Sequence, residues 1–287
     1  MRVAQFPAPG TKAAATDFIV TGGGCAANAA VAVARLAGHA RFAGPLGDKS
    51  DAVSERILAN LVAEGIDCGG VQRIAGGTAS VSLILIDASG EKSIATRRGS
   101  GLARVLPADA GTLVRDVDAL LVDNRFPEFV TAVAGAARRR GIPIVIDLDQ
   151  PTQPDHPLLA LGTHVIASSE GLSGTTDTRD LAQGLVCLAR HAPGLLAVTD
   201  GENGVYWREE GLLRHLPAFA VSAIDTLGAG DAFHGAFALA LAEGRELAAA
   251  LRFASAAAAL KCTRFGGAAG MARRAEVEQF IRAQKAF

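Results

Sequence analysis

From about residue 119 on, the pattern of hydrophobic and polar positions becomes a regular alternation of predicted strands and helices. From there on, short apolar runs predict strands and longer stretches predict helices, in the order Ala119–Val122, Glu128–Arg140, Ile142–Asp147, His164–Ala167, Thr178–His191 and Leu195–Thr199. Strands that alternate with helices form a parallel sheet with helices on both faces. Ligands bind beyond the carboxyl ends of such strands, where Asp123, Asp147 and Thr199 fall.

The first hundred residues follow a different pattern. The small apolar stretch Ala26–Ala37 predicts a buried helix, and Ala52–Glu64 predicts a second helix that ends at Gly65. Ser80–Asp87 and Lys92–Arg97 flank an Asp-Ala-Ser-Gly turn and predict a β-hairpin. A hairpin does not fit the parallel sheet, which indicates a separate small sheet.

One glycine-rich motif carries the clearest chemistry, and it reads Asp-Thr-Leu-Gly-Ala-Gly-Asp-Ala-Phe-His-Gly over residues 225–235. Phe219–Ile224 predicts a short strand before it, and Ala232–Glu243 predicts a helix after it. Unpaired N–H groups and the dipole at a helix start favour an anion. A carboxylate in the first turn, here Asp231, can take a proton from an attacking hydroxyl. An ordinary N-cap and tight turn is the alternative, but the length and context of the motif favour a phosphoryl-transfer site.

Composition and charge narrow the function classes. The 287 residues suffice for one large α/β domain with a smaller appendage, and the formal net charge of −1 gives no support for binding nucleic acid or an anionic membrane. The apolar runs are too short to span a bilayer, and no signal segment opens the chain. The four cysteines lack metal-binding spacing, which indicates reduced thiols in the cytoplasm.

The motif and a second one, Gly-Gly-Gly-Cys-Ala-Ala-Asn over residues 22–28, resemble the two signatures of the ribokinase-like (PfkB) carbohydrate kinases. The resemblance covers essentially the whole chain. It implies a three-layer α/β fold over residues 1–287, a parallel sheet flanked by helices, and phosphoryl transfer from ATP with Mg²⁺. It also implies that Asp231 is the catalytic base and that the amides of Gly228, Ala229 and Gly230 form the anion hole.

The resemblance also implies which residues bind the sugar. The backbone at Gly23 and Gly24 would approach the sugar, and Asn28 would hydrogen-bond a sugar hydroxyl. A small β-sheet lid, formed by about residues 1–20 and 71–99, would close over the sugar, exclude water and serve as a homodimer surface.

On the nucleotide side, the resemblance assigns phosphate and ribose contacts to Thr199, Gly201 and Gly204, with Thr226, Gly228 and Gly230 at the helix start. Asn203-Gly204 is also a strong hairpin signal, and both interpretations can hold together. Ser255 lies where the family often contacts the nucleoside, although a small core residue is an equal alternative.

Two cation sites follow from the family pattern. Many members carry an Asn-x-x-Glu motif that orders magnesium-bound water, and here Ala-Ser-Ser-Glu leaves only Glu170 to take part. Carbonyl groups near Thr263–Gly267 hold a monovalent cation in some members.

The sugar itself is the least determined feature. Lys12 and Arg125 match cations that bind the sulfonate tail in the sulfofructose kinase branch, whose Asn in the lid strand aligns with Thr96 here. The expected substrate is therefore a ketose such as 6-deoxy-6-sulfofructose, phosphorylated at C1. A neutral ketohexose, 2-keto-3-deoxygluconate, ribose or a nucleoside is the alternative, and an inactive sugar- or nucleotide-binding regulator is another.

The N-terminus departs from the family pattern. Members usually begin with an apolar strand followed by Gly and a substrate-binding Asp, whereas this sequence matches the segment after that point. The first core strand and one substrate acid are therefore expected to be missing.

Overall fold

The computed structural model describes residues 1–284, and the chain divides into two compact units. The first unit comprises residues 1–102, 221–232 and 257–277, and the second comprises residues 103–220, 233–256 and those from 278 on. No helix within residues 1–284 has the length and apolar content needed to cross a bilayer.

The first unit contains two sheets and two helices. In chain order its elements are β1 (Arg2–Val3), β2 (Ala15–Asp17), α1 (Cys25–Arg35), β3 (Arg41–Leu46), α2 (Ala52–Ala63), β4 (Asp67–Arg73), β5 (Val81–Ile86) and β6 (Lys92–Arg97). Four strands form a small sheet in the order β2-β1-β5-β6, in which β5 and β6 are the predicted hairpin. The predicted helices are also confirmed as α1 and α2, to within two residues at each end.

The pair β3–β4 was not predicted. Its strands run parallel, with Ala43 opposite Gly70. Gly44-Pro45 in β3 and Gly69-Gly70 in β4 weaken the pattern by which a strand is recognised. Val71–Arg73 belongs to this pair and not to the small sheet.

The second unit is built on a six-stranded sheet in the order β12-β11-β10-β9-β8-β7. Its elements are α3 (Ala110–Leu113), β7 (Leu120–Asp123), α4 (Pro127–Arg139), β8 (Ile144–Leu148), α5 (Pro157–Leu161), β9 (His164–Ser168), α6 (Ser169–Thr176), α7 (Leu181–Leu188), β10 (Leu195–Thr199), β11 (Val205–Glu209) and β12 (Leu212–Leu216). Strands β7 to β10 are parallel, as predicted, and β11 and β12 extend the sheet antiparallel. Because helices flank the sheet, its inner strands are apolar on both faces, and Ile144, Val145 and Ile146 are fully buried.

The helix predicted over Thr178–His191 is shorter in the structure. Helix α7 begins after Asp180, whose carboxylate accepts a hydrogen bond from the Gln183 amide at 2.8 Å. Such a side chain is an N-cap, and it fixes the helix start. Helix α6, which the sequence pattern did not reveal, precedes it.

Three further helices have residues in both units, namely α8 (Ala229–Ala242), α9 (Leu247–Cys262) and α10 (Arg274–Ala283). The strand predicted at Phe219–Ile224 is wrong, because residues 217–224 form no strand. The amides of Ile224 and Asp225 both donate to the carbonyl of Cys262, at 2.7 and 3.1 Å. The segment is therefore held by the end of α9 and not by a sheet.

Candidate active site

The turn that opens α8 has the geometry expected from the sequence. Gly228 has φ = 81°, a conformation that favours glycine, and α8 begins at the next residue. Asp231 lies in the first turn of α8 and is half-buried. The Ala229 amide donates to the Thr226 carbonyl at 3.2 Å and so closes the turn. The predicted turn before a helix is confirmed, and it places Asp231 at the positive end of the helix dipole.

Asp231 is held by Asn28 from the first signature. The Asn28 side-chain amide donates to Asp231 Oδ2 at 2.7 Å, across 203 residues of sequence. This hydrogen bond fixes the position of one carboxylate oxygen of Asp231. The sequence assigned Asn28 to a sugar hydroxyl, and the structure adds a contact with the proposed base itself.

A second carboxylate, Asp225, ties the motif to the end of α9. Its side chain is buried and accepts hydrogen bonds from the amides of Leu227 at 2.8 Å, Gly266 at 2.9 Å and Gly267 at 3.4 Å. Lys261, whose side chain is also fully buried, donates to the Asp225 carbonyl at 2.7 Å and lies 3.2 Å from Asp225 Oδ2.

The charge state of this pair follows from its contacts. Burial by itself raises the pKa of Asp225, but the amides of Gly266 and Leu227 and the charge of Lys261 outweigh burial and hold the pKa below its usual range. Burial lowers the pKa of Lys261, and the Asp225 carboxylate opposes that shift. Asp225 is therefore an ionised carboxylate at neutral pH, with Lys261 as its counter-charge.

The glycines of the first signature lead into α1. The Gly22 amide donates to Asn60 Oδ1 at 2.8 Å, and Gly24 caps the helix with φ = 106°. A cavity of about 210 Å³ lies beside them, and Asn28 is part of its lining. Backbone and side-chain groups here offer both donors and acceptors, as hydroxyl groups of a sugar require.

The strand ends of the second unit bring two buried carboxylates together. Asp123 and Asp147 are register partners on β7 and β8, and their residues are 8% and 4% exposed. His234 is buried as well, with Nε2 3.6 Å from Asp147 Oδ1 and 3.3 Å from the Ile166 carbonyl oxygen. The expectation that polar residues gather at this edge of the sheet is confirmed.

Thr199 ends β10, and the following turn is held by a polar network. Asp200 accepts hydrogen bonds from the Ser169 hydroxyl and from the Asn203 side-chain amide, both at 2.9 Å. Gly204 has φ = 98°, and a Cβ there would lie 2.2 Å from the Leu216 carbonyl oxygen. The predicted turn is confirmed, and Gly204 has a structural role whether or not it also contacts a nucleotide.

The remaining predicted nucleotide and metal residues lie on helices. Glu170 is exposed in the first turn of α6, and Ser255 is half-buried on α9. Mg²⁺ keeps several waters and needs only one or two carboxylates besides phosphate oxygens, so an exposed Glu170 fits such a role.

The three residues predicted to contact the sugar or its tail differ in their surroundings, and Arg125 is already paired with a carboxylate. The Arg125 guanidinium forms an ion pair with Asp149 at 2.6 Å, and the Arg125 amide donates to Asp123 Oδ1 at 3.0 Å. Lys12 is exposed, and the Thr96 hydroxyl is 2.8 Å from that of Ser82 across the hairpin.

The residues around Thr263–Gly267 do not fit a monovalent cation bound at the neighbouring Asp225. The Lys261 ammonium already donates to the Asp225 carbonyl and lies beside its carboxylate. A second cation at those oxygens would be repelled by the ammonium.

The sequence interpretation missed Lys261, Asn60 and the anchoring role of Asp225 in this region. A lysine within Ala256–Cys262, a stretch that is otherwise apolar, was a signal that its ammonium needs a buried partner. Asn60 carries no comparable signal, because it is one polar residue on an amphipathic helix.

Comparison with known proteins shows the family to which the chain belongs. Residues 2–273 match the sequence model of the pfkB family of carbohydrate kinases. The ribokinase of Bacillus subtilis (strain 168) is 32% identical over 282 residues, which are 96% of this chain and 92% of the relative. A crystal structure from Agrobacterium tumefaciens, provisionally named a ribokinase, is 36% identical with a TM-score of 0.93, covering 100% of this chain and 94% of that one.

A third relative is the fructokinase of Xylella fastidiosa, solved with bound ATP. It is 27% identical with a TM-score of 0.75, and the match covers 92% of this chain and 91% of that one. The ribokinase-like fold is thereby confirmed. The chain therefore belongs to the pfkB family of carbohydrate kinases and is an ATP-dependent phosphotransferase with an alcohol group as acceptor.

Proposed function

We propose that this kinase phosphorylates a primary hydroxyl of a small neutral sugar of the ribose class, with Asp231 as the general base. The observation that carries the proposal is the position of Asp231 in the first turn of α8, where Asn28 holds its carboxylate at 2.7 Å. A carboxylate held in position at a helix start suits deprotonation of an alcohol beside a phosphoryl group.

In the proposed reaction, Asp231 accepts the hydroxyl proton while the sugar oxygen attacks the γ-phosphorus of ATP. The bond between that phosphorus and the bridging oxygen breaks, and ADP leaves. The amides of Gly228, Ala229 and Gly230 are the proposed donors to the transferring group. Ala229 would have to release the Thr226 carbonyl to take part.

The nucleotide contacts proposed for Thr199, Gly201, Gly204, Thr226 and Ser255 rest on the family resemblance. Mg²⁺, when bound, would neutralise charge on the phosphates. Glu170 is the proposed holder of a magnesium-bound water, because its carboxylate is exposed at the start of α6.

The choice of a neutral sugar rests on the Arg125 contacts and on the relatives. The Asp149 carboxylate already neutralises the Arg125 guanidinium, so an anionic sugar tail would have to displace it. The reported relatives are named ribokinases or a fructokinase. Gly23, Gly24 and Asn28 are the proposed sugar contacts.

A second candidate is the anionic ketose 6-deoxy-6-sulfofructose. It is favoured by the same guanidinium, which is 30% exposed and belongs to a type of ion pair that exchanges partners at low cost. In this alternative, Lys12, Thr96 and Arg125 would contact the sugar or its sulfonate group.

The test is release of ADP with ATP and magnesium, measured on ribose, fructose, 6-deoxy-6-sulfofructose, 2-keto-3-deoxygluconate and adenosine. Turnover of ribose that Arg125→Ala leaves unchanged would support the neutral sugar. Turnover only of sulfofructose, lost in Arg125→Ala but kept in the exposed control Arg138→Ala, would establish the second candidate. No turnover of any substrate by the folded protein would favour a binding regulator.

The small sheet is also the proposed surface of a homodimer. Val81 and Leu83 lie on one face of β5 and are 41% and 52% exposed, and neighbouring exposed apolar residues of this kind can form a contact surface between proteins. Light scattering on the purified protein tests this. A monomer at all concentrations would contradict it, and dissociation by Leu83→Lys would support it.

A further inference from the structure

Lys261 is a buried charge that the proposed reaction does not use. Of the lysines within residues 1–284, it alone has a buried side chain. It lies in the last turn of α9, where a hydrocarbon side chain would suit its apolar neighbours better. Burying an ammonium group is costly unless its partners compensate, so the position of this one calls for a reason.

The contacts of Lys261 converge on the first residue of the glycine-rich motif. Its Nζ donates to the Asp225 carbonyl at 2.7 Å and lies 3.2 Å from Asp225 Oδ2. The other carboxylate oxygen of Asp225 accepts the Leu227 amide at 2.8 Å. Lys261 is therefore connected through Asp225 to Leu227, the residue just before the turn whose amides are the proposed anion hole.

The same carboxylate also joins the motif to the turn after α9. Asp225 Oδ2 accepts the Gly266 amide at 2.9 Å, and a Cβ on Gly228 would lie 3.7 Å from Gly267. The motif and the Gly266-Gly267 turn are therefore packed together around one buried negative charge. Without a positive charge beside it, that buried carboxylate would keep its amide hydrogen bonds but would have no counter-charge.

We propose that Lys261 is a positioning residue that supplies this positive charge internally, so that the phosphoryl-transfer loop is ordered without a dissolved monovalent cation. The oxygens that K⁺ or NH₄⁺ would need at Asp225 are occupied by the ammonium. This inference rests on the proposed function, because it concerns the loop that carries Asp231.

The first test compares wild-type turnover in buffers that contain only tetramethylammonium with turnover after addition of K⁺, NH₄⁺ or Na⁺. Equal turnover in all of them is expected. Strong activation of the wild type by K⁺ or NH₄⁺ would overturn the proposal.

The second test removes the ammonium. Lys261→Ala leaves an empty space beside the Asp225 carbonyl oxygen and Oδ2, which then have no cation. In tetramethylammonium buffer we expect kcat to fall about tenfold to a hundredfold, while KM for ATP changes little. Addition of K⁺ or NH₄⁺ should restore part of that loss. The exposed control Lys49→Ala should match the wild type in every buffer.

A readout besides activity separates this proposal from the proposed function. The melting temperature of Lys261→Ala should rise with K⁺ or NH₄⁺ more than that of the wild type, whichever sugar is the substrate. Lys261→Met, which fills the space without the charge, should show loss of activity without rescue. An Ala variant that is fully active without added cation, or destabilised with no response to cations, would overturn the proposal.

Discussion

Substitution of Gly228 or of Gly230 by alanine should change the stability of the protein in opposite directions, and both substitutions should lower its activity. At Gly228, φ is 81° and an added Cβ would lie 3.7 Å from Asp231 Oδ2 and from Gly267, which are ordinary contacts. The penalty of Gly228→Ala is therefore the backbone strain alone, about 1–2 kcal/mol. For a chain of this length that corresponds to a melting point lowered by about 2–3 °C.

At Gly230 the structure offers room. It lies inside α8 without positive φ, and within the described residues a Cβ there would meet no atom within 4 Å. Gly230→Ala should therefore keep its stability or gain up to about 1 kcal/mol, as Ala does over Gly in a helix. If the phosphoryl group approaches this backbone, the methyl group obstructs it, and kcat should fall by about a hundredfold or more.

The assay combines thermal melting with steady-state turnover for both variants. Gly244→Ala is the control for strain, because Gly244 has φ = 70° and lies past the end of α8. Gly135→Ala within α4 is the control for helix propensity. A stable Gly230→Ala protein with wild-type turnover would refute the placement of the phosphoryl group at this turn.

Three further predictions concern the surroundings of the site. Asn28→Ala removes the side-chain amide that donates to Asp231 Oδ2, so the carboxylate is less well positioned and kcat should fall roughly 10- to 100-fold. Wild-type turnover by the folded variant would argue against Asn28 as the residue that positions the base. Gly204→Ala should destabilise the protein more than Gly201→Ala in thermal melting, because its Cβ would lie 2.2 Å from the Leu216 carbonyl oxygen, and equal melting points would contradict this. Burial lowers the pKa of His164 below its usual value of 6.5. As the pH falls, the histidine of the unfolded chain therefore binds a proton before the folded one does. The protein should lose stability as the pH falls from above 6.5 to the folded pKa. His164→Gln should lose less stability over that range in denaturant titrations, and an identical pH dependence would exclude the histidine as a cause.

The sequence was informative where the relevant signal is local. The glycine-rich turn, its helix and Asp231 follow one another within a few residues, so their relation follows from chain geometry. The alternation of strands and helices predicted the parallel sheet for a similar reason, since buried strands are continuous apolar runs such as Ile144–Leu148.

The errors arose where distant residues decide the structure. Phe219–Ile224 has a strand-like composition, but the amide of Ile224 and that of Asp225 bind the Cys262 carbonyl at the end of α9. Lys261 belongs to a helix whose faces are nearly all apolar, so the sequence alone did not show that its ammonium is buried against Asp225. The contact of Asn28 with Asp231 spans 203 residues, and nothing local indicates it.

The most direct test of the account is the turnover number of Asp231→Asn. The substitution keeps the shape of the side chain and an oxygen that Asn28 can bind, so the fold and the affinity for ATP should be retained. The loss of a general base should lower kcat by about 10²–10⁴-fold, with ATP binding measured separately and unchanged. A folded Asp231→Asn protein that turns over its sugar at the wild-type rate would contradict the central claim.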